Sequence, residues 1–363
     1  MGTAILLAFG TPSRKPTLDQ IGLAMARSGW EMGEIRAADV DARGSSPYFG
    51  TAVDGSPLFV KVLTPQERAA DNMFRVMRMF RLKGVGDERP FSSLKRAVEH
   101  EAVASLKASA DGVKTPQLVA VADIEPDSVV MAYRMIDGSS LDGVPDDELT
   151  DEVVRGVWEQ VKLLRIRRTA HRDLRLANVF LESDGTPWVI DFGFAELAAT
   201  DGQLKTDVAE LIMSTAVKVG SERAVGNAIA VLGPEPVAEA ASRIQPLALS
   251  GATRDALKAQ KGLDADVREQ IAAQTGVEPE PIEDIERIKG KTILTFIGIG
   301  LATYFLIPQL AQTDFGAVID ADWRWAPAIL LASFLTYVGA AWNVMGSVPQ
   351  RIPIIGGVPV SYT

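Results

Sequence analysis

Between residues 171 and 193 the chain reads HRDLRLANVFLESDGTPWVIDFG. Three oxygen-bearing side chains recur there: Asp173, then Asn178 five residues on, then Asp191 thirteen residues further. VFLES and PWVIDF flank Asp184-Gly185, a pair that favours a tight turn between antiparallel strands. Such a hairpin sets Asn178, at the start of one strand, beside Asp191, at the end of the other. Two oxygen ligands side by side suit a hard divalent cation such as magnesium. Asp173, on the loop before the hairpin, faces the same gap and is placed to take a proton from a hydroxyl. A base and a pair of metal ligands are the parts that phosphoryl transfer from ATP asks for, because that reaction rests on positioning and charge neutralisation. His171 reads as a brace for this loop rather than as a metal ligand.

Composition narrows the alternatives. Cysteine is absent, so disulfides, thiolate metal sites and cysteine nucleophiles are excluded. The only histidines are His100 and His171, which excludes a histidine-rich metal centre. A net charge of -10 argues against a nucleic-acid partner. Two basic runs stand out against that acidity, one from Arg75 to Lys83 and one from Arg165 to Arg175; either could lie on anionic lipid, although such runs are more often simply solvated.

The elements that must hold the site are legible in outline. Thr17 and Gln20 form a capping box that opens a short helix to Ser28. YFGTAV and PLFVKVL flank Asp54-Gly55, a second hairpin signal. Thr64-Pro-Gln-Glu67 opens a helix to about Lys83, and Ser92 or Ser93 caps another to about Ala110. QLVAVADI and SVVMAYRM read as strands around a Glu125-Pro126-Asp127 turn. From Asp146 onward helical periodicity dominates, at about 147–168, 204–219, 222–232 and 235–244.

With these elements in order, the chain resembles the protein-kinase-like superfamily. HRDLRLAN matches its catalytic loop without a gap, and IDFG matches its metal-binding motif. The resemblance implies a two-lobed α+β fold, with an antiparallel sheet in the first lobe and helices in the second. It makes Lys61, in the strand Leu58-Phe-Val-Lys-Val, the partner of the nucleotide phosphates. It makes Glu101, in AVEHEAVASL, the partner of Lys61; Glu101 is preferred to Glu99 because Val98, Ala102 and Leu106 would bury the face beside it. In MAYRMIDGSSL, backbone groups near Arg134 and Ile136 would hold adenine. Arg172 and His171 belong to the catalytic loop with Asp173, and Asn178 and Asp191 to the metal. Asp207, in KTDVAEL, would hold the backbone of that loop, or would simply start a helix.

Two departures matter. The usual glycine-rich loop is replaced by ARGSSPYFG, where Ser45 and Ser46, with Arg43 nearby, offer hydroxyls and N–H groups to phosphate or form an ordinary turn. Only thirteen residues separate Gly193 from Asp207, and no Ala-Pro-Glu follows. That reduces the segment on which peptides dock. The chain is closer in this respect to RIO-type, lipopolysaccharide-type or aminoglycoside-type kinases.

Two uncharged runs, 292–313 and 325–350, are each as long as the roughly 20 residues that span a bilayer. They read as transmembrane helices, with Trp323 and Trp325 at an interface. From about Ile288 onward the pattern resembles the start of the membrane domain of lysylphosphatidylglycerol synthases and related flippase-like proteins. Arg287, Lys289 and Lys291 before the first run and Arg351 after the second put the catalytic part in the cytosol of a bacterium, tethered to the inner membrane as a multi-pass protein.

The expected organisation is therefore an apolar segment at 1–16, which reads as the end of a preceding membrane helix or as a surface segment, a first lobe at 17–140, a second at 141–276, a linker at 277–290 and a membrane part at 291–363. Both ends read as truncated. The expected function is an ATP- and magnesium-dependent kinase acting on a hydroxyl-bearing lipid, small molecule or protein, coupled to lipid handling by the membrane part. The alternative is a nucleotide-sensing pseudokinase that regulates a lipid synthase or flippase. Partners are ATP, that acceptor and the lipid bilayer, with no nucleic acid.

Overall fold

The architecture was obtained as a computed structural model. It describes residues 15–38, 45–65, 93–246, 248–277, 281–282, 295, 298 and 323–346. The chain divides into two units, Met1–Ile288 and Lys289–Thr363. The expected helix at 64–83 beyond Pro65, Arg43 and the basic run at 75–83 lie outside the described residues, as do residues 1–14.

The first unit opens with α1 (Leu18–Arg27), whose capping box between Thr17 and Gln20 closes its first turn. Five strands then form one antiparallel sheet: β1 (Met32–Ala37), β2 (Ser46–Ala52), β3 (Pro57–Leu63), β4 (Leu118–Ile124) and β5 (Ser128–Arg134), in the order β1-β2-β3-β5-β4. The β2–β3 turn is made by Asp54, whose Oδ1 accepts from the Ser56 N–H at 2.9 Å, and by Gly55 at φ 86°. That left-handed angle costs glycine no Cβ clash.

Alternation along the strands creates two different faces. Leu58, Val60 and Val62 of β3, with Val130 and Ala132 of β5, pack under Ile21 and Met25 of α1. Lys61 and Leu63 therefore face the other way, as do Val129, Met131 and Tyr133 of β5. Against this second face lies α2 (Leu94–Ala110), through Val98 and Ala102. A lysine in the middle of a buried strand is thus delivered to the helix that carries Glu101.

The helical part follows. A short β6 (Gly138–Ser140) leads to α3 (Asp151–Ile166) and β7 (Thr169–Ala170). The hairpin is β8 (Val179–Glu182) and β9 (Pro187–Val189), with β6 on its outer side. Then come β10 (Glu196–Leu197), α4 (Asp201–Val219), α5 (Ser221–Leu232), α6 (Pro234–Ala240), α7 (Gly251–Ala259) and α8 (Leu263–Thr275). One large core joins these elements around Trp158, Leu174, Phe192, Leu211, Ile212 and Met213. It is separate from the two clusters that flank the sheet.

The second unit corrects an expectation. Among the described residues no helix is long and apolar enough to cross a membrane. Its described helix, α9 (Ala326–Gly346), covers most of the second uncharged run. Absence of charge is a weaker condition than apolarity: Pro327, Ser333, Thr336, Tyr337, Gly339 and Asn343 all break its apolar sequence. Of the first run, 292–313, only Thr295 and Gly298 are described. The described residues are α+β, and no helix among them supports the expected transmembrane spans, or the multi-pass inner-membrane location and orientation drawn from those spans.

The second basic run also resolves into separate contacts rather than one lipid-facing patch. Arg168 pairs with Asp201, Arg167 approaches Asp111 at 3.8 Å, and Arg175 bonds Asp173. Arg165 is partly buried, and that burial pulls its pKa down.

Candidate active site

Lys61 is the centre of the arrangement. Its Nζ donates to Glu101 Oε1 at 2.9 Å and to Asp191 Oδ1 at 3.0 Å. Burial alone would pull the ammonium pKa down. The Asp191 and Glu101 carboxylates outweigh it and hold the pKa above that of free lysine. Asp191 shows the reciprocal effect: burial pushes it up, yet Lys61 brings it below the usual carboxylate range.

Glu101 is almost fully buried, on the stripe of α2 that also buries Ala97, Val98, Ala102, Ala104, Ser105 and Ala108. Glu99 is exposed, and so, at 53 %, is Leu106. The expected support from Leu106 comes instead from Ala104, Ser105 and Ala108, which stand at i+3, i+4 and i+7 from Glu101. Glu101 has a second donor that the sequence did not suggest: the Tyr133 hydroxyl, at 3.3 Å from the same Oε1 that Lys61 holds. Burial first, then the charges of Glu101 and Asp191, push the Tyr133 phenol well above its ordinary pKa.

Asp173, Asn178 and Arg175 form a second linked group. The Asn178 Nδ2 donates to the Asp173 carbonyl at 2.7 Å and to its Oδ2 at 2.8 Å. This spends the amide nitrogen and leaves the amide oxygen without a hydrogen bond to any described residue. Arg175 Nε reaches both carboxylate oxygens of Asp173, at 3.2 and 3.4 Å. The two groups are joined through the hairpin, where the Ile190 N–H donates to the Asn178 carbonyl at 3.0 Å.

The loop is held from below by Asp207, 4 % exposed on α4. Its oxygens accept from the His171 N–H at 2.5 Å and the Arg172 N–H at 2.8 Å. Burial nevertheless leaves this carboxyl above its usual pKa. Arg172 sits at φ 69°, so these two N–H groups converge on one carboxylate at some backbone strain. His171 is fully buried; its Nε2 lies 2.8 Å from the Ile190 carbonyl, and its ring meets Phe192 edge-on at 4.9 Å. It ties the loop at 171–173 to the segment after β9 that leads into Asp191.

Asp191 itself has φ 63°, a left-handed conformation rare for a non-glycine residue. The turn Phe192–Phe194 follows, and Gly193 packs so closely that a Cβ there would stand 3.2 Å from Glu101 Oε2 and 3.4 Å from Asp191 Oδ1. The shortened segment beyond it is ordered at once: β10 pairs with β7, and α4 begins at Asp201.

The remaining expected residues are placed as follows. Ser46 starts β2 and pairs with Val62, next to Lys61; Ser45 precedes it, and its buried Oγ has no partner among the described residues. The Arg134 N–H is spent on the Gln117 carbonyl, its side chain bonds Gln117 at 2.9 Å, and the Met135 N–H goes to Pro57. That leaves Ile136, with no backbone bond among the described residues, as the residue of this pair able to meet a purine edge.

As a metal site the oxygens are few. Among the described residues no three His, Cys, Asp or Glu side chains gather as a metal cluster. Asp191 and the amide oxygen of Asn178 remain the two candidate ligands, and magnesium is an ion that rarely uses an all-protein cage. No family model matches this chain, and no curated protein is similar to it.

Proposed function

We propose that this chain is a phosphotransferase that moves the γ-phosphoryl group of MgATP to a hydroxyl acceptor. The observation that carries this reading is the linked set Glu101–Lys61–Asp191, joined through one hairpin to Asn178 and Asp173. In this reading a cation fixed between two carboxylates is held ready for phosphate oxygens, and the Asp173 carboxylate, linked to it through the hairpin, receives a proton.

In this reading Lys61 orients the phosphates, and Glu101 keeps Lys61 from collapsing fully onto Asp191. Asp191 and Asn178 would hold the magnesium ion, which when bound neutralises charge on the phosphate oxygens. Asp173 takes the proton of the acceptor hydroxyl as its oxygen bonds to phosphorus and ADP leaves. Arg175 Nε fixes the Asp173 carboxylate, while its two terminal nitrogens have no partner among the described residues and can meet the transferring group. Ser45 Oγ and the Ile136 backbone supply the ends of the nucleotide site.

The test is transfer from γ-labelled ATP by purified protein. Asp173→Asn keeps the shape and removes the base, so labelled product should fall by roughly a hundredfold or more while MgATP binding by calorimetry stays within about twofold. Turnover that survives the change would remove Asp173 from that role. Wild-type protein that binds MgATP and labels nothing in any extract would favour a nucleotide sensor.

A further inference from the structure

A cavity of about 230 Å³ opens beside the catalytic loop. Arg175 lines it, and the same guanidinium bonds Asp173. The cavity is therefore one side chain away from the proposed base. Its other walls include Ala177, Ser214, Val217, Ala252 and Ala256.

The walls are built in place by one face of α4. Glu210, Ser214, Val217 and Lys218 stand at i, i+4, i+7 and i+8, a single stripe along a helix. At one end the buried Glu210 accepts from the Ser250 N–H at 2.8 Å and from the Thr253 hydroxyl, which fixes α7 as one wall. At the other end Lys218 Nζ donates to the carbonyls of Leu141, Asp142 and Val144, and lies 3.4 Å from the Asp146 carboxylate. That fixes the 141–146 loop as the opposite wall. Ser214 and Val217, between the two anchors, form the floor. Two buried or half-buried charges thus spend their bonding capacity on holding the cavity open rather than on filling it.

The lining selects the occupant. Its surface is mainly methyl and methylene groups. Arg175 and Lys218 place positive charge on it, and the one carboxylate, Asp142, already accepts from the Ser140 hydroxyl at 2.6 Å. The space holds roughly eight water volumes. We propose that this cavity receives the phosphate acceptor, and that the acceptor is a small alcohol with a compact apolar body and no cationic group. Basic peptides and polyamine-like sugars do not match it. This rests on the phosphotransferase reading for the direction of the reaction: the acceptor O–H loses its proton to Asp173, the new O–P bond forms, and the bond to ADP breaks.

The test uses the full chain and three probes: cyclohexanemethanol, glycerol and choline. Saturation-transfer NMR should detect cyclohexanemethanol on the wild type and neither of the others. Ala252→Leu and Ala256→Leu, both at half-buried helical positions, fill the cavity; each should abolish that signal with MgATP binding unchanged. In the labelled-ATP assay either variant should raise the KM for cyclohexanemethanol by roughly tenfold or more and leave that for MgATP alone. Choline binding in preference, or a cyclohexanemethanol signal insensitive to both leucines, overturns the cavity assignment. Binding without any labelled product would instead overturn the phosphotransferase reading and leave the cavity as a site for such alcohols. Labelled product whose KM ignores both variants would do the reverse.

Discussion

Tyr133 shows how much a single hydroxyl can matter at this site. It shares Glu101 Oε1 with Lys61, so two donors hold one carboxylate oxygen. Tyr133→Phe removes one hydrogen bond and keeps the ring packing, a loss on the order of 1 kcal/mol when the partner is charged and retains its other donor. The expected result is a fall in kcat/KM for MgATP of about three- to tenfold, with the acceptor KM unchanged. The unfolding temperature should shift by no more than a few degrees. Steady-state kinetics beside calorimetry decides the matter: unchanged kinetics with the same small thermal shift would make Tyr133 packing alone. A pH profile adds a second control, because a phenol held above its ordinary pKa does not titrate near neutrality and the profile should keep its shape.

At the scale of elements, Gly193 couples the turn after β9 to the helix α2. A methyl group there would press on two carboxylates at 3.2 and 3.4 Å, and both belong to the Lys61 set. Gly193→Ala should therefore displace Glu101 or Asp191 by a few tenths of an ångström and slow transfer by roughly tenfold to a hundredfold, since small misplacements are costly at a reacting centre. The fold should survive, because the displaced atoms are side-chain termini at the cleft; far-UV circular dichroism and an activity assay check both halves. These couplings also explain what the sequence made legible. Capping at Thr17, the turns at Asp54-Gly55 and Asp184-Gly185, and the alternation of Leu58, Val60 and Val62 are local rules, and they placed α1, β2, β3, β8 and β9. Glu101 was chosen over Glu99 by helical phase, which is also local. Tyr133 meets Glu101 across 32 residues and Lys218 meets Leu141 across 77, and no local period encodes such pairs. Leu106 was placed inside because phase alone does not say how wide the buried stripe is.

At the scale of the whole molecule, all the buried apolar clusters of the described residues fall between Ile21 and Ile271. The first unit therefore carries its cores within itself. In the second unit α9 leaves Ile329, Leu330, Leu331, Phe334 and Leu335 exposed by 58 to 71 %. A row of large apolar side chains on one helix favours self-association wherever it meets water. A chain that stops after Ile282 should keep the unfolding midpoint of the first unit within about two degrees, because no described core residue is removed. It should bind MgATP as the full chain does and elute as a smaller, more uniform species at matched concentration. Calorimetry and size-exclusion chromatography with light scattering measure these directly. A midpoint lowered by many degrees would mean that residues beyond 282 support the sheet or the helical core, and the site would then have to be described with them included.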